Sequence, residues 1–187
     1  MQEEDERALV DRAKRDPEAF GILYQRYLTP IYNYHYRHTG STLEAEDLTS
    51  RTFYRALRSL EHYRDLGASF QAWLFRIAHN LLANWHRDRS RHPEFPMDAP
   101  EELVPGGGDP ERELEVREEH ESLLQALRRL PEDRFNLVVL KVTTQMSNAR
   151  IGELLGRTEG AIKSLYHRTL KSLREMLPGI VLEEDGE

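Results

Sequence analysis

The sequence predicts an all-α protein made of two small helical domains joined by a flexible acidic linker. Three observations carry this. Apolar residues recur at i, i+3, i+4 through each long segment. Between 92 and 109 the pattern is broken by four prolines (Pro93, Pro96, Pro100, Pro105) and by Gly106-Gly107-Gly108. The charge also changes sign along the chain: the whole is −7, whereas Lys141 to Glu175 holds seven bases and three acids, net +4. At 187 residues the chain has room for one large domain or two small ones. The expected division is 1–91, a linker over 92–112, 113–178, and an acidic tail over 179–187.

In chain order, residues 1–18 hold seven acids and four bases. Asp16-Pro17-Glu18 reads as a helix start, with Asp16 capping and Pro17 at the first helical position. The helix continues through Phe20, Leu23, Tyr24, Tyr27, Leu28, Ile31, Tyr32 and Tyr36, with Pro30 expected to kink or divide it. Its tyrosines read as core with polar tips at the rim rather than a stacking surface. Thr39-Gly40-Ser41 is a break, and Ser41-x-x-Glu44 is a capping box. The next helix, from about Leu43 to Leu60, has an apolar stripe of Leu48, Thr52, Phe53, Ala56, Leu57 and Leu60. Glu44, Glu46 and Asp47 at its start suit the helix dipole and a protein contact better than a metal.

Glu61 to Ser69 is a loop containing Tyr63, Arg64, Asp65 and Gly67. The helix Phe70 to Arg91 has a core face of Leu74, Ile77, Ala78, Leu81 and Leu82. Its polar face carries Arg76, His79, Asn80, Asn84, Arg87, Arg89 and Arg91, with Phe70, Trp73 and Trp85 interleaved. Aromatics beside arginines and amides suit melted nucleic acid; a helix core with a basic end is the reading this helix favours when taken alone. His79 and His86 share a face but lack an acidic ligand for a metal. Asp98 to Glu119 holds nine acids and two arginines and cannot bury a core; it reads as a solvated tether. Glu111 to Leu130 is helical, with Leu123, Leu124, Leu127 and Leu130 inward. Pro131 opens a further helix with Phe135, Val138, Val139, Leu140 and Val142 apolar.

Met146 to Leu177 reads as two helices and a tight turn. Ser147 caps the first, Ile151, Leu154 and Leu155 line one side, and Gly156 stops it. Thr158 caps the second, whose apolar positions are Ile162, Leu165, Tyr166, Leu170, Leu173 and Leu177. Lys163, Ser164, His167, Arg168, Lys171 and Arg174 lie opposite. This is the anatomy of a helix-turn-helix, and its net positive charge is what phosphate neutralisation needs. An αα-hairpin with a solvated basic face has the same outline. In an acidic chain, so local a basic surface predicts weak DNA affinity alone and a larger partner that holds it in place. The acidic stretch Met1 to Asp5 is no signal peptide, and no run is long enough to span a bilayer. The chain has no cysteine, hence no disulfide and no cysteine-ligated zinc. A cytoplasmic protein fits.

Two separated stretches resemble one family, the extracytoplasmic-function (ECF) sigma factors of bacterial RNA polymerase. A-E-D-L-T-S-R-T-F-Y-R-A-L (Ala45 to Leu57) with F-Q-A-W-L-F-R-I-A-H-N (Phe70 to Asn80) looks like sigma region 2. L-R-R-L-P-E-D-R-F-N-L-V-V-L (Leu127 to Leu140) with the helix-turn-helix after it looks like region 4. The resemblance implies a promoter-specificity subunit that is not an enzyme and takes no cofactor or metal. On it, Glu46, Asp47, Leu48, Arg51, Phe53 and Ala56 contact the core polymerase at the clamp helices, while the flap is a second docking point on its large subunits. Tyr63, Arg64, Phe70, Arg76, Asn80, Asn84 and Arg87 capture the melted −10 element. Arg157, Thr158, Glu159, Lys163, Ser164, His167, Arg168 and Lys171 read the −35 duplex. It also implies an anti-sigma factor as partner, which could hold this cytoplasmic protein at a membrane. The chain departs from the family pattern at Ser50-Arg51, where Gln-Glu is usual, and at Arg150, where an acid is usual.

Two other readings stand beside this one. An autonomous helix-turn-helix regulator with an N-terminal sensing or dimerisation domain would need a symmetric dimer to read a palindrome, and a flexible linker argues against fixed half-site spacing. A hydrolase built on Glu44, Glu46 and Asp47 lacks a matching base, nucleophile or phosphate loop.

Overall fold

A computed structural model of the chain describes residues 6–64, 69–91, 122–127 and 129–177, with side chains of the fourth helix described through Asp88. Among the described residues the regular structure is helical: α1 (Glu6–Ala13), α2 (Pro17–Thr39), α3 (Thr42–Ser59) with a 3₁₀ turn at Leu60–His62, α4 (Phe70–Arg91), α5 (122–127), α6 (Glu132–Thr144), α7 (Asn148–Leu155) and α8 (Glu159–Met176). The expected linker, the acidic tail, Asp65, Gly67 and the side chains of Arg89 and Arg91 lie outside the described residues, as do the expected domain limits at 91/92, 112/113 and 178/179.

Helix ends follow from the local sequence. The Asp16 carboxylate accepts the Glu18 N–H at 3.0 Å and Pro17 opens α2. Gly40, at φ 65°, closes it by donating its N–H to the Tyr36 carbonyl at 2.8 Å. Pro30 lies inside α2 without dividing it. The capping box at Ser41 forms on one side: the Ser41 hydroxyl accepts from the Glu44 N–H at 3.4 Å, and the Glu44 carboxylate instead accepts the Trp85 indole N–H at 2.8 Å. A long-range partner on α4 thus competes with the local one.

The first half is a bundle in which α2 packs on α1, α3 and α4. Leu23, Ile31, Tyr34, Leu48, Leu74, Phe75 and Leu81 are sealed within it. The expected stripes shift where a helix meets more than one neighbour. Tyr34, His35 and His38 are buried although the period assigned Tyr32 and Tyr36, because α2 also faces α6. Leu57 and Val142, expected inward, are 52% and 60% exposed. Ser59, Thr143 and Thr144 turn their hydroxyls back to carbonyls four residues earlier.

The two halves pack against each other. Helix α6 lies on α2 and α7 on α4, so one apolar cluster runs from Leu9 to Leu165. Gln71 Nε2 donates to the Thr144 carbonyl at 3.0 Å, and Arg76 donates to the Glu153 carbonyl at 2.6 Å. Phe135 of α6 meets the His38 ring at 5.0 Å between centroids. A smaller cluster of Ala126, Leu130, Leu173 and Leu177 joins α5 to α8, with Leu123 and Leu127 against it.

Candidate nucleic-acid interface

The C-terminal surface is built on α7 and α8. The Ser147 hydroxyl accepts the Arg150 N–H at 3.3 Å and the Thr158 hydroxyl accepts the Ala161 N–H at 3.3 Å, so both helices are capped. Gly156 makes the turn at φ 67°. Gly152 lets the chain pass closely after the turn: a Cβ there would stand 2.5 Å from the Arg157 carbonyl oxygen. Ile162, Leu165, Thr169, Leu170 and Leu173 face inward. Lys141 lies over the Tyr166 ring at 5.1 Å. With the inner face thus fixed, Lys163, Ser164, His167, Arg168, Lys171 and Arg174 stand on the exposed side.

All eight residues expected at the −35 duplex are exposed, but they are not equivalent. Arg157 pairs with Asp133 of α6 at 3.3 Å. Thr158 spends its hydroxyl on the cap. Arg168 donates Nε–H to the Ser164 carbonyl at 3.2 Å. Lys163, Ser164, His167 and Lys171 complete a polar stripe along α8, the arrangement a major groove accepts.

The residues expected at the −10 element separate into three groups. Arg64, Asn80 and Arg87 are exposed and Asn84, half-buried, accepts from Arg87. Arg76 is exposed but turned to the Glu153 carbonyl. Tyr63 and Phe70 are core: they are 8% and 3% exposed and pack with Trp73 at 5.0 and 5.4 Å. The correction has a plain cause. The 3₁₀ turn brings Tyr63 back over the start of α4, so Tyr63, Phe70 and Trp73 pack on one another at tilted and edge-on angles, and Tyr63 and Phe70 are covered.

The set expected at the polymerase divides in the same way. Glu46, Asp47 and Arg51 are exposed, with Arg51 paired to Asp47 at 3.2 Å. Leu48, Phe53 and Ala56 are 0%, 5% and 0% exposed and hold α3 to the bundle, Phe53 against Tyr24 at 4.6 Å. These three offer no outward surface. The outer face of α3 carries Leu43, Tyr54 and Leu57 instead, at 76%, 62% and 52% exposure. Tyr54, Arg55, Arg58 and Ser59 also border a shallow groove with Ile77 and Asn80 of α4. This second apolar stripe has a signal in the sequence: 43, 54 and 57 fall on one side of a helix, opposite 48 and 56, with 53 at its edge.

The acidic start of α3 sends its side chains in different directions, Glu44 to Trp85 and Asp47 to Arg51. Among the described residues no helix is long and apolar enough to cross a membrane.

A capped, glycine-tight helix-turn-helix with a basic outer face, packed behind a helical bundle that carries its own basic and amide groove, defines a DNA-binding transcription protein of two modules. The comparisons sharpen this. Residues 23–92 match the Sigma-70 region 2 family and 120–173 match Sigma-70, region 4. The ECF RNA polymerase sigma factor BldN of Streptomyces coelicolor is 37% identical over 175 residues, covering 91% of this chain and 65% of that protein. The ECF sigma factor SigW of Bacillus subtilis is 31% identical over 174 residues, covering 88% of this chain and 91% of SigW. This chain belongs to the ECF RNA polymerase sigma factors. Among solved structures, CnrH in complex with the cytosolic domain of CnrY aligns with a TM-score of 0.67 at 22% identity, over 92% of this chain and 96% of that one. The sigma factor RpoE of Bartonella quintana, in complex with the anti-sigma factor NepR, gives 0.67 at 21% identity, over 86% and 97%. At those identities the likeness concerns the fold.

Proposed function

We infer that this protein binds core RNA polymerase, recognises −35 and −10 promoter elements and promotes promoter melting. The observation that carries the −35 role is the exposed polar stripe of α8, held outward by capping and by the approach at Gly152. Lys163, Ser164, His167 and Arg168 lie in the half of α8 that enters a major groove, and Lys171 suits phosphates. Arg157 and Glu159 flank the helix start, and Thr158 contributes by capping.

At the −10 element the contacts fall to Arg64, Asn80, Asn84 and Arg87, and to Arg76 once it is released from Glu153. Trapping an unstacked base favours strand opening without bond chemistry. The exposed side of α3, with Glu46, Asp47, Arg51, Leu43, Tyr54 and Leu57, is the polymerase contact. The modules are 1–91 and 113–178, tethered by 92–112. An anti-sigma factor is a partner, in keeping with the complexes of CnrH and RpoE. The protein is cytoplasmic, with membrane retention through that partner, and performs no bond chemistry.

The test is a gel-shift on a fork-junction promoter library with the protein alone, core polymerase alone, and both. Sequence-selective binding confined to the mixture is the expected result. Tight selective binding by the protein alone, unchanged by polymerase, would identify an autonomous regulator.

A further inference from the structure

Four histidines gather where the halves meet. His35 and His38 come from α2, His79 and His86 from α4. His38 is at the contact itself. It is 8% exposed, and its ring lies edge to face with Phe135 of α6 at 5.0 Å, with Tyr34 at 4.8 Å and with His86 at 6.3 Å. Its Nε2 is buried with no hydrogen-bond partner. That site accepts a neutral imidazole and has nothing to receive an imidazolium N–H.

We propose that His38 is a proton-sensitive latch: the closed packing of α6 on α2 requires its neutral ring, and proton uptake parts the two halves.

The surroundings decide the sign. From α2, Tyr34 and His35 face His38; from α4, His86 and His79; from α6, Phe135. Burial, then His86, His35 and His79, all hold its pKa down, to about 3. The carboxylates of α6 act elsewhere. Glu132 bears on His79 and Tyr34, and Asp133 is held by Arg157 at 3.3 Å; both line a cleft with His79 and His86. At His79 burial outweighs Glu132 and holds that half-buried ring below its ordinary value; His38, the ring in contact with Phe135, carries the switch. Once α6 leaves, His38 is solvated and titrates near its ordinary value of about 6.5. The closed form is therefore fully favoured above about pH 6.5. Below that, each pH unit shifts the ratio of closed to open by about tenfold towards open, until the closed-state pKa is reached. Opening also frees Arg76 from the Glu153 carbonyl.

The chain has no cysteine, so Gln25→Cys with Glu175→Cys places one dye on α2 and one on α8 of the full chain. Energy transfer would be followed from about pH 7.5 to about pH 5, with helicity by circular dichroism and the His38 ring by NMR. Transfer is expected to fall below about pH 6.5, at constant helicity, with His38 gaining its proton over the same range. Phe135→Ala should move the fall towards neutral pH, and His38→Phe should abolish it. Unchanged transfer at the lowest pH overturns the latch, whether or not His38 titrates. So does a fall accompanied by lost helicity, or an equal fall in folded His38→Phe. If His38→Phe does not fold, the coincidence of the NMR and transfer midpoints in the unsubstituted ring decides alone, and separate midpoints overturn it. None of these readouts involves promoter or polymerase, so the outcome is independent of the function inferred above.

Discussion

Gly152 shows how one missing atom fixes a recognition element. Its position allows the backbone after the turn to approach, and the obstacle a Cβ would meet is the Arg157 carbonyl, 2.5 Å away, which is backbone and cannot swing aside. Gly152→Ala should lower stability by about 1–3 kcal/mol, read from equilibrium urea unfolding; an unchanged midpoint would show that the turn adapts freely. His35 makes the complementary point about a buried polar group. The Thr52 hydroxyl gives its proton to the Leu48 carbonyl at 2.7 Å, so its oxygen is left to accept from His35 Nε2–H at 3.0 Å. Nδ1 is then bare and unpartnered, and burial holds the pKa at about 3. The unfolded ring takes up a proton near 6.5. Stability is thus complete above that value and falls as pH drops towards 3. In unfolding measurements between about pH 7.5 and about pH 5, His35→Gln should flatten the decline by on the order of 1 kcal/mol per pH unit. An identical slope would mean His35 is already solvated in the folded chain.

At the scale of the element, α3 and α8 each divide into a face that holds the fold and a face free for partners. On α3, Leu48 is sealed and Leu57 is half exposed. Leu48→Ala should cost about 2–5 kcal/mol of stability by leaving a cavity. Leu57→Asp should leave the melting temperature within a few degrees while weakening association with core polymerase, measured by surface plasmon resonance. Equal binding by Leu57→Asp would remove the outer stripe from the polymerase contact. On α8, Lys163→Ala with Arg168→Ala should weaken binding to a −35 duplex and relax its sequence preference. Polymerase binding should be preserved in that double variant; parallel loss of both would mean that face serves the polymerase.

Across the whole molecule, the two halves share one core and are locked by backbone-directed bonds from Gln71 and Arg76. This closed form leaves the α8 stripe open but takes Arg76 from the groove side. Full engagement of a promoter by both modules therefore calls for a change at the contact between them. Once polymerase holds each module, weak contacts add through effective concentration. The acidity of the chain, −7 overall, predicts weak binding of the free chain to DNA, with selectivity left to the assembly.

Much was legible beforehand because it is local. Asp16, Gly40, Ser41, Ser147, Gly156 and Thr158 mark helix ends through their own backbone and side-chain chemistry, and the structure places caps at each. The order of the two family-like stretches and the basic face of α8 are likewise properties of the chain itself. What depends on distant partners was not legible. Phe70 read as an aromatic fit to stack on a base, and Tyr63 was set beside it by the resemblance, but the 3₁₀ turn packs the two rings edge to face. Leu48, Phe53 and Ala56 shared a helix with the contact face, and only packing against α2 and α4 shows that they point inward. Pro30 forecast a kinked or divided helix, and α2 runs through it undivided. By itself the sequence determined helix, order, charge and family, since these rest on neighbours within a turn or two. The tertiary structure decided which polar and aromatic groups remain available, because a side chain's exposure is set by what arrives from elsewhere to cover it.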